Sequence, residues 1–375
     1  MPETGMTSEG ESMKTLTVTI HRGTNYGALL QAYALQRVQA DQGIDNVILD
    51  YSDPKHAPKP SLTAPKATLA AVYTTCSRRL HKKAICRRRE SFERFHEKHM
   101  RLSRFYRTME ELRADAPDVD VLITGSDQVW RFLGNTEFLP ARFLDFGAPG
   151  VKKISYAASM ERLNYTDAQK AQVRRWLSDF AAVSLREESA RAYISDIIGK
   201  QAKRVLDPVF LPDRSVWDAL AVPPTIREPY ILCYQVQRCD RMQETVSFLK
   251  KTTGYRTIAV LPGSIPYIRT DEARYDVTPE EFLGLYKNAA IVVSGSFHGS
   301  AFGLLFGKPT YAVTRAGASS RVREIMQLVH AEPFCIGGEQ AIPLPSAFDA
   351  DAVLAQLRAQ REMSLAFLRQ NLHNG

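Results

Sequence analysis

Cysteine is scarce in this chain. Its 375 residues hold five (Cys76, Cys86, Cys233, Cys239 and Cys335), an odd number with no C-x-x-C pair. That excludes a disulfide framework and a cysteine-rich zinc site, and it reads as a protein of a reduced compartment. No group of ligating side chains has metal-site spacing, so no metal is expected. No apolar run reaches the ~18 residues that a bilayer-spanning helix needs. The opening dozen, MPETGMTSEGES, is polar and acidic and lacks the apolar core of a secretory leader. A cytoplasmic location is therefore expected. The strict G-x-G-x-x-G of dinucleotide sites is missing, which argues against a nicotinamide cofactor. There is no helix-turn-helix, zinc-finger or aromatic RNA-binding signature, so nucleic acid is not an expected partner.

What remains is an ordinary globular composition, 44% hydrophobic and 24% charged, long enough for two domains with separate cores. Apolar strands alternate with amphipathic helices through both halves. The first half opens with LTVTI (16–20), a polar loop, a helix from Ala28 to Ala40 and the strand NVILD (46–50). Three prolines between Ala221 and Pro229 read as a linker. The chain past Asp349 has leucines at helical spacing. This pattern predicts an α/β fold of two Rossmann-like domains facing across a cleft. The expected boundaries are 14–222, with a basic helical insertion at about 67–107, then 229–348, then a C-terminal amphipathic helix (349–375) packing across the junction.

Charge is uneven. Net charge is +8, and Arg78 to Arg107 holds twelve Lys or Arg against three Glu. Such a run is either a solvated helix face or a surface for phosphates, anionic lipid headgroups or acidic polymers. Ser52 to Pro65, rich in proline and lysine, reads as a mobile surface loop.

The stretch IVVSGSFHGSAFGLLFGKP (291–309) organises the second half. A buried strand runs into a small polar loop, then an apolar helix stopped at Gly307-Lys308-Pro309. His298 is thereby expected in a loop beyond the carboxyl end of a parallel strand, where open α/β sheets bind ligands. A helix beginning there favours an anion. Four strand ends in the first half also present polar loops, among them His21 to Gly27, Gly125-Ser126-Asp127-Gln128, and Arg186-Glu187-Glu188-Ser189. For the second of these, a plain turn with a helix cap is the alternative.

NYGALLQAYAL, ITGSDQVW, ISYAASM, SLREESA, VLDPVF and SGSFHGSAFGLLFGKP occur in that order. Together they resemble the polysaccharide pyruvyl transferase family from about Leu16 to Val329. The resemblance implies a GT-B-like arrangement. It implies transfer of the enolpyruvyl group of phosphoenolpyruvate to sugar hydroxyls, giving a pyruvate ketal on a cell-surface or exopolysaccharide glycan. The family's late histidine falls on His298 and its arginine after the S-x-R-E strand on Arg186; these are the expected catalytic residues. Asn25, Tyr26, Gly27, Gly125, Ser126, Asp127, Gln128, Glu187, Ser296, Phe297, Gly299 and Ser300 are the expected substrate contacts. His298 suits a general acid or base near neutral pH. Arg186 and the helix start near Ser300 would hold the donor anion. Expected partners are phosphoenolpyruvate, a glycan or lipid-linked acceptor, and the inner face of the membrane through residues 78–107. Two positions depart from the family pattern, Ala28 for an aspartate and Ser296 for an arginine. They leave a nucleotide-sugar glycosyltransferase and a non-catalytic glycan- or polyanion-binding protein as alternatives.

Overall fold

The computed structural model describes residues 12–52, 77, 79–132, 139–160, 162–236, 238–263, 266–314 and 321–373. Nearly all of the expected 52–65 loop, and the start of the basic insertion, lie outside them.

Two six-stranded parallel sheets carry the fold. In the first, β1 (Lys14–Val18), β2 (Asp45–Tyr51), β3 (Leu102–Tyr106), β4 (Val121–Thr124), β5 (Lys152–Ser155) and β6 (Phe180–Ala182) run in the order 3-2-1-4-5-6. A short pair, β7 (Ser184–Leu185) and β8 (Lys203–Arg204), follows. The second sheet repeats the pattern. Strands β9 (Tyr230–Tyr234), β10 (Arg256–Val260), β11 (Glu272–Arg274), β12 (Ile291–Ser294), β13 (Thr310–Val313) and β14 (Cys335–Ile336) run in the order 11-10-9-12-13-14. Both orders reverse beside the first strand of their sheet, at β1/β4 and at β9/β12. Such a reversal opens a crevice at the carboxyl edge, and ligands bind there.

Local signals explain the elements. VLIT, YILCY and IVVS are buried along their whole length, as strands covered on both faces must be. Thr166 and Thr278 each start a helix with a reciprocal capping box. The edge strand β3 is the exception. Arg104 and Phe105 point to solvent, so no apolar alternation marks it.

The halves share one core. Tyr26, first residue of the Tyr26–Ala40 helix, is fully buried, stacks on Phe282 of the second half at 4.4 Å and donates to the Val277 carbonyl at 2.6 Å. Burying a side chain of this size contributes about 2–3 kcal/mol. The basic helix Lys82–His99 also faces inward on one side. Arg88 is buried and donates to the carbonyls of Leu261, Pro262 and Tyr275 at 2.7–3.0 Å. His81 stacks on Tyr275 at 3.8 Å. The segment is therefore half interface and half solvated surface.

The helix Ala350–His373 spans both cores. Val353 and Leu357 pack with the second sheet, and Leu365, Leu368 and Leu372 pack with Val121, Ile123 and Ile154 of the first. Arg361 donates to the Leu211 carbonyl at 2.7 Å. Among the described residues no helix is long and apolar enough to cross a membrane.

Candidate active site

The site is built where the carboxyl edges of the two sheets meet. Ser296 caps the helix Phe297–Leu305, accepting from the Gly299 N–H at 3.4 Å. His298 therefore stands in the first helical turn and not in the loop, as its glycine-rich setting had implied. The helix starts early because the Ser296 hydroxyl satisfies a free N–H there. Gly299 is small because a Cβ there would lie 2.0 Å from Ser294 Oγ. Its reason is packing, not ligand contact.

Across the junction, Gly27 supplies the surface on which the His298 ring rests. A Cβ on Gly27 would lie 2.3 Å from both Cγ and Nδ1 of the imidazole. Asn25 caps its own helix, accepting from the N–H groups of Gly27 and Ala28 at 3.0 and 3.3 Å. Tyr26 has its ring in the core and its hydroxyl bonded to a carbonyl, so it has nothing to offer a substrate.

His298 Nε2 stands 3.4 Å from Asp207 Oδ2. Asp207, in the middle of VLDPVF, is wholly buried and caps the short 3-10 turn that Pro208 begins. One carboxylate oxygen accepts from the Val209 N–H at 3.1 Å; the other accepts from Ser126 Oγ at 3.0 Å and Arg186 Nη1 at 2.7 Å. Burial works against the Asp207 charge, but His298, Arg186 and the Val209 N–H hold its carboxyl well below the usual range.

Arg186 continues the alternation of charge. Its side chain is 1% exposed, its Nε donates to Glu187 Oε1 at 2.7 Å, and Nη2 lies 3.7 Å from Asp127. The guanidinium lies 4.2 Å from the centre of the Phe297 ring, a cation–π contact. Burial opposes its charge, yet Glu187 and Asp207 raise its pKa above the ordinary arginine value. Burial lifts the Glu187 pKa even beside that cation. Ser159 Oγ donates to Glu187 at 2.9 Å.

One expectation changes here. Arg186 was to be a free clamp for a donor anion outside the core; it is buried and matched by two carboxylates. Its place in the site is to fix Asp207, and so His298. Gly125, Ser126 and Asp127 lie at the β4 end, with Asp127 in the left-handed region at φ 69°. The oxygen of the Gln128 amide accepts from Arg321 at 2.5 and 3.0 Å. Ser300 is buried, and its Oγ meets no hydrogen-bond partner among the described residues.

The structure thus gathers His298, Phe297, Gly27, Ser126, Asp127, Arg186 and Glu187, and leaves Asn25, Tyr26, Ser296 and Gly299 in supporting roles. It adds two residues. Asp207 had its signal in VLDPVF, but an aspartate before a proline reads as a strand stop. Arg321, at the start of the helix Arg321–Leu328, lines with Arg186, Asp207 and Phe297 a cavity of about 10 Å³. A larger hollow of about 780 Å³ lies by Arg113, Asp145 and Lys152, at the amino ends of the strands. That is the wrong edge for ligands of such sheets.

The model of the polysaccharide pyruvyl transferase family matches residues 25–317, and the chain belongs to that family. By that membership it is a transferase. In its chain course it is similar to UDP-GlcNAc 2-epimerase from Methanocaldococcus jannaschii (TM-score 0.45, 11% identity, 93% of this chain and 92% of that one). It is likewise similar to the glycosyltransferase SnogD from Streptomyces nogalater (TM-score 0.45, 14% identity, 96% and 100%). A third is Anabaena Alr3699/HepE, solved with UDP and glucose (TM-score 0.45, 10% identity, 96% and 95%). No curated protein sequence matches the chain.

Proposed function

We propose that the chain transfers the enolpyruvyl group of phosphoenolpyruvate to two hydroxyls of one sugar, forming a pyruvate ketal on a cell-surface or exopolysaccharide glycan. The observation that carries this reading is the imidazole of His298 set against the buried, charged Asp207. Asp207 belongs to one half and His298 to the other. The chemistry needs a proton delivered to the methylene carbon of the donor. The neighbouring carbon becomes oxocarbenium-like and takes the first sugar oxygen, whose hydroxyl proton leaves; its C–O bond to phosphate then breaks, the second hydroxyl oxygen closes the ketal, and that hydroxyl's proton leaves with the phosphate. His298 both gives and takes protons in this scheme. Asp207 stabilises the imidazolium and fixes its orientation, and Arg186 and Ser126 fix Asp207. Arg321 supplies the donor-binding cation that Ser296 does not, guanidinium matching carboxylate and phosphate in bidentate fashion. Asp127 and Gln128 face the acceptor.

Phosphate release from phosphoenolpyruvate tests this, with a sugar acceptor present. His298→Ala should lower kcat by about 10²–10⁴-fold. Turnover at the parent rate would sink the assignment. We further propose that the protein works in the cytoplasm against an anionic membrane face. Arg79, Lys82, Lys83, Arg89 and Arg94 are exposed, and Leu80 beside them is 79% exposed. Reversing Lys82, Lys83, Arg89 and Arg94 to Glu should abolish sedimentation with anionic vesicles at low salt. An intact protein that leaves such vesicles in the supernatant removes the membrane from the account.

A further inference from the structure

The β1/β4 switch point of the first sheet holds a second cluster that the His298 chemistry does not use. The turn Pro140–Phe143 crosses the carboxyl edge there. Thr124 Oγ1 and Trp130 Nε1 pin the Arg142 main-chain carbonyl at 3.0 and 3.1 Å. The Arg142 side chain is half-buried, within electrostatic reach of Asp127 at the β4 end, Tyr51 at the β2 end and Arg131. Its Nη1 is sealed from solvent and, among the described residues, makes no hydrogen bond. Among the described residues no carboxylate pairs with it or with the exposed Arg131. The carboxylate that acts on Arg142, Asp127, also lies 3.7 Å from Arg186.

Burial and then Arg131 push the Arg142 pKa down to about 10, against Asp127 and Tyr51. A guanidinium partly withdrawn from water, unmatched and beside a like charge, is unfavourable for folding alone. Charges kept in that condition, at the edge where such sheets bind ligands, belong to binding sites. One carboxylate would be matched by one guanidinium. Two cations close enough to act on each other suit an oxyanion with more than one negative charge.

We propose that Arg142, with Arg131, forms an anion subsite that takes a phosphate or diphosphate carried by the acceptor sugar. The subsite is separate from the donor position beside His298. Asp127 stands between the two, contacting Arg186 on one side and feeling Arg142 on the other. The acceptor is thereby anchored by its charged end while its hydroxyls reach His298. This rests on the pyruvyl-transfer reading for the word acceptor only. The subsite itself rests on the unmatched cations.

The test is calorimetric titration of the full chain with inorganic pyrophosphate, inorganic phosphate, UDP and a neutral methyl glycoside, with and without saturating phosphoenolpyruvate. Pyrophosphate and UDP should bind, and the neutral glycoside should not. Arg142→Gln should weaken pyrophosphate by about 10–100-fold, the worth of a charge-assisted contact. It should leave the affinity for phosphoenolpyruvate within about twofold. Removing an unmatched charge should not lower the thermal midpoint. Unchanged pyrophosphate affinity in Arg142→Gln would overturn the proposal. So would one-for-one displacement of pyrophosphate by phosphoenolpyruvate, or a lower midpoint in the variant. Inorganic phosphate binding alone, with UDP silent, would confine the subsite to monophosphate acceptors and leave it standing. A chain that binds pyrophosphate through Arg142 but ignores phosphoenolpyruvate would sink the donor assignment and uphold this subsite.

Discussion

Removing the Arg186 side chain should unfold the protein at a lower temperature, and by more near neutral pH than in acid. The guanidinium is 1% exposed and holds Asp207 and Glu187, themselves 0% and 2% exposed. Arg186→Ala leaves two carboxylates in the interior without their cation. Breaking a buried ion pair from one side costs about 3–5 kcal/mol. For a chain of this size that lowers the midpoint by about 4–6 °C. The pH dependence follows from the signs. In the parent, the depressed Asp207 pKa adds stability above its unfolded value of about 3.9, lost as pH falls through the folded value. In Arg186→Ala, the Glu187 carboxyl, already lifted by burial, rises further above its unfolded value, while Asp207 keeps His298 and the Val209 N–H but loses one of the charges that hold it down. The Glu187 penalty is full near neutrality and is relieved as pH falls below the raised value. The gap in midpoint between parent and variant, read by calorimetry or circular dichroism, should therefore narrow from pH 8 to pH 5. Arg186→Lys should recover part of it. An unchanged midpoint, or a gap that widens in acid, would refute the reasoning.

Three further outcomes are expected. Gly27→Ala places a methyl within 2.3 Å of the His298 ring; stability should fall by about 1–3 kcal/mol and turnover by about 100-fold, since a small displacement of a reacting group is costly. A variant with parent kcat would show the ring free to shift. Glu324 of the second half caps the Glu188–Ile198 helix of the first, accepting from the N–H groups of Glu188 and Ser189 at 2.5 and 3.3 Å. Glu324→Ala should speed amide exchange at residues 188–190, and unchanged protection would deny the contact a closing role. His21, buried against the Leu49 carbonyl and His96, has its pKa lowered to about 4, by burial first. A folded value below the unfolded ~6.5 means stability is full above that pH and declines by about 3 kcal/mol toward pH 4; a flat profile in that window would contradict it.

Much of the fold was legible because parallel strands buried on both faces announce themselves. VLIT, YILCY and IVVS need no context to be read, nor do the caps at Thr166 and Thr278. The edge strand β3 escaped because its outer residues are Arg104 and Phe105. The inward role of Arg88 escaped because it lies within a run of cations whose other members stay in water. Within the site, His298 and Arg186 could be found from their motifs. Asp207 could not, since its meaning lies in partners 81, 21 and 91 residues away (Ser126, Arg186 and His298). The same distance hid the neutralisation of Arg186. A sequence shows that an arginine follows a strand, but not that two carboxylates will close on it.

The central claim is that the crevice between the sheets binds phosphoenolpyruvate beside His298 and Asp207. The most direct measurement is the thermal midpoint of the full chain against phosphoenolpyruvate and a panel of nucleotide sugars. A ligand at about 100 times its Kd adds about 2.7 kcal/mol to the native state. The account predicts a midpoint several degrees higher with phosphoenolpyruvate, largely lost in Arg321→Gln. Stabilisation by a nucleotide sugar together with no response to phosphoenolpyruvate would contradict it and assign the crevice to glycosyl transfer.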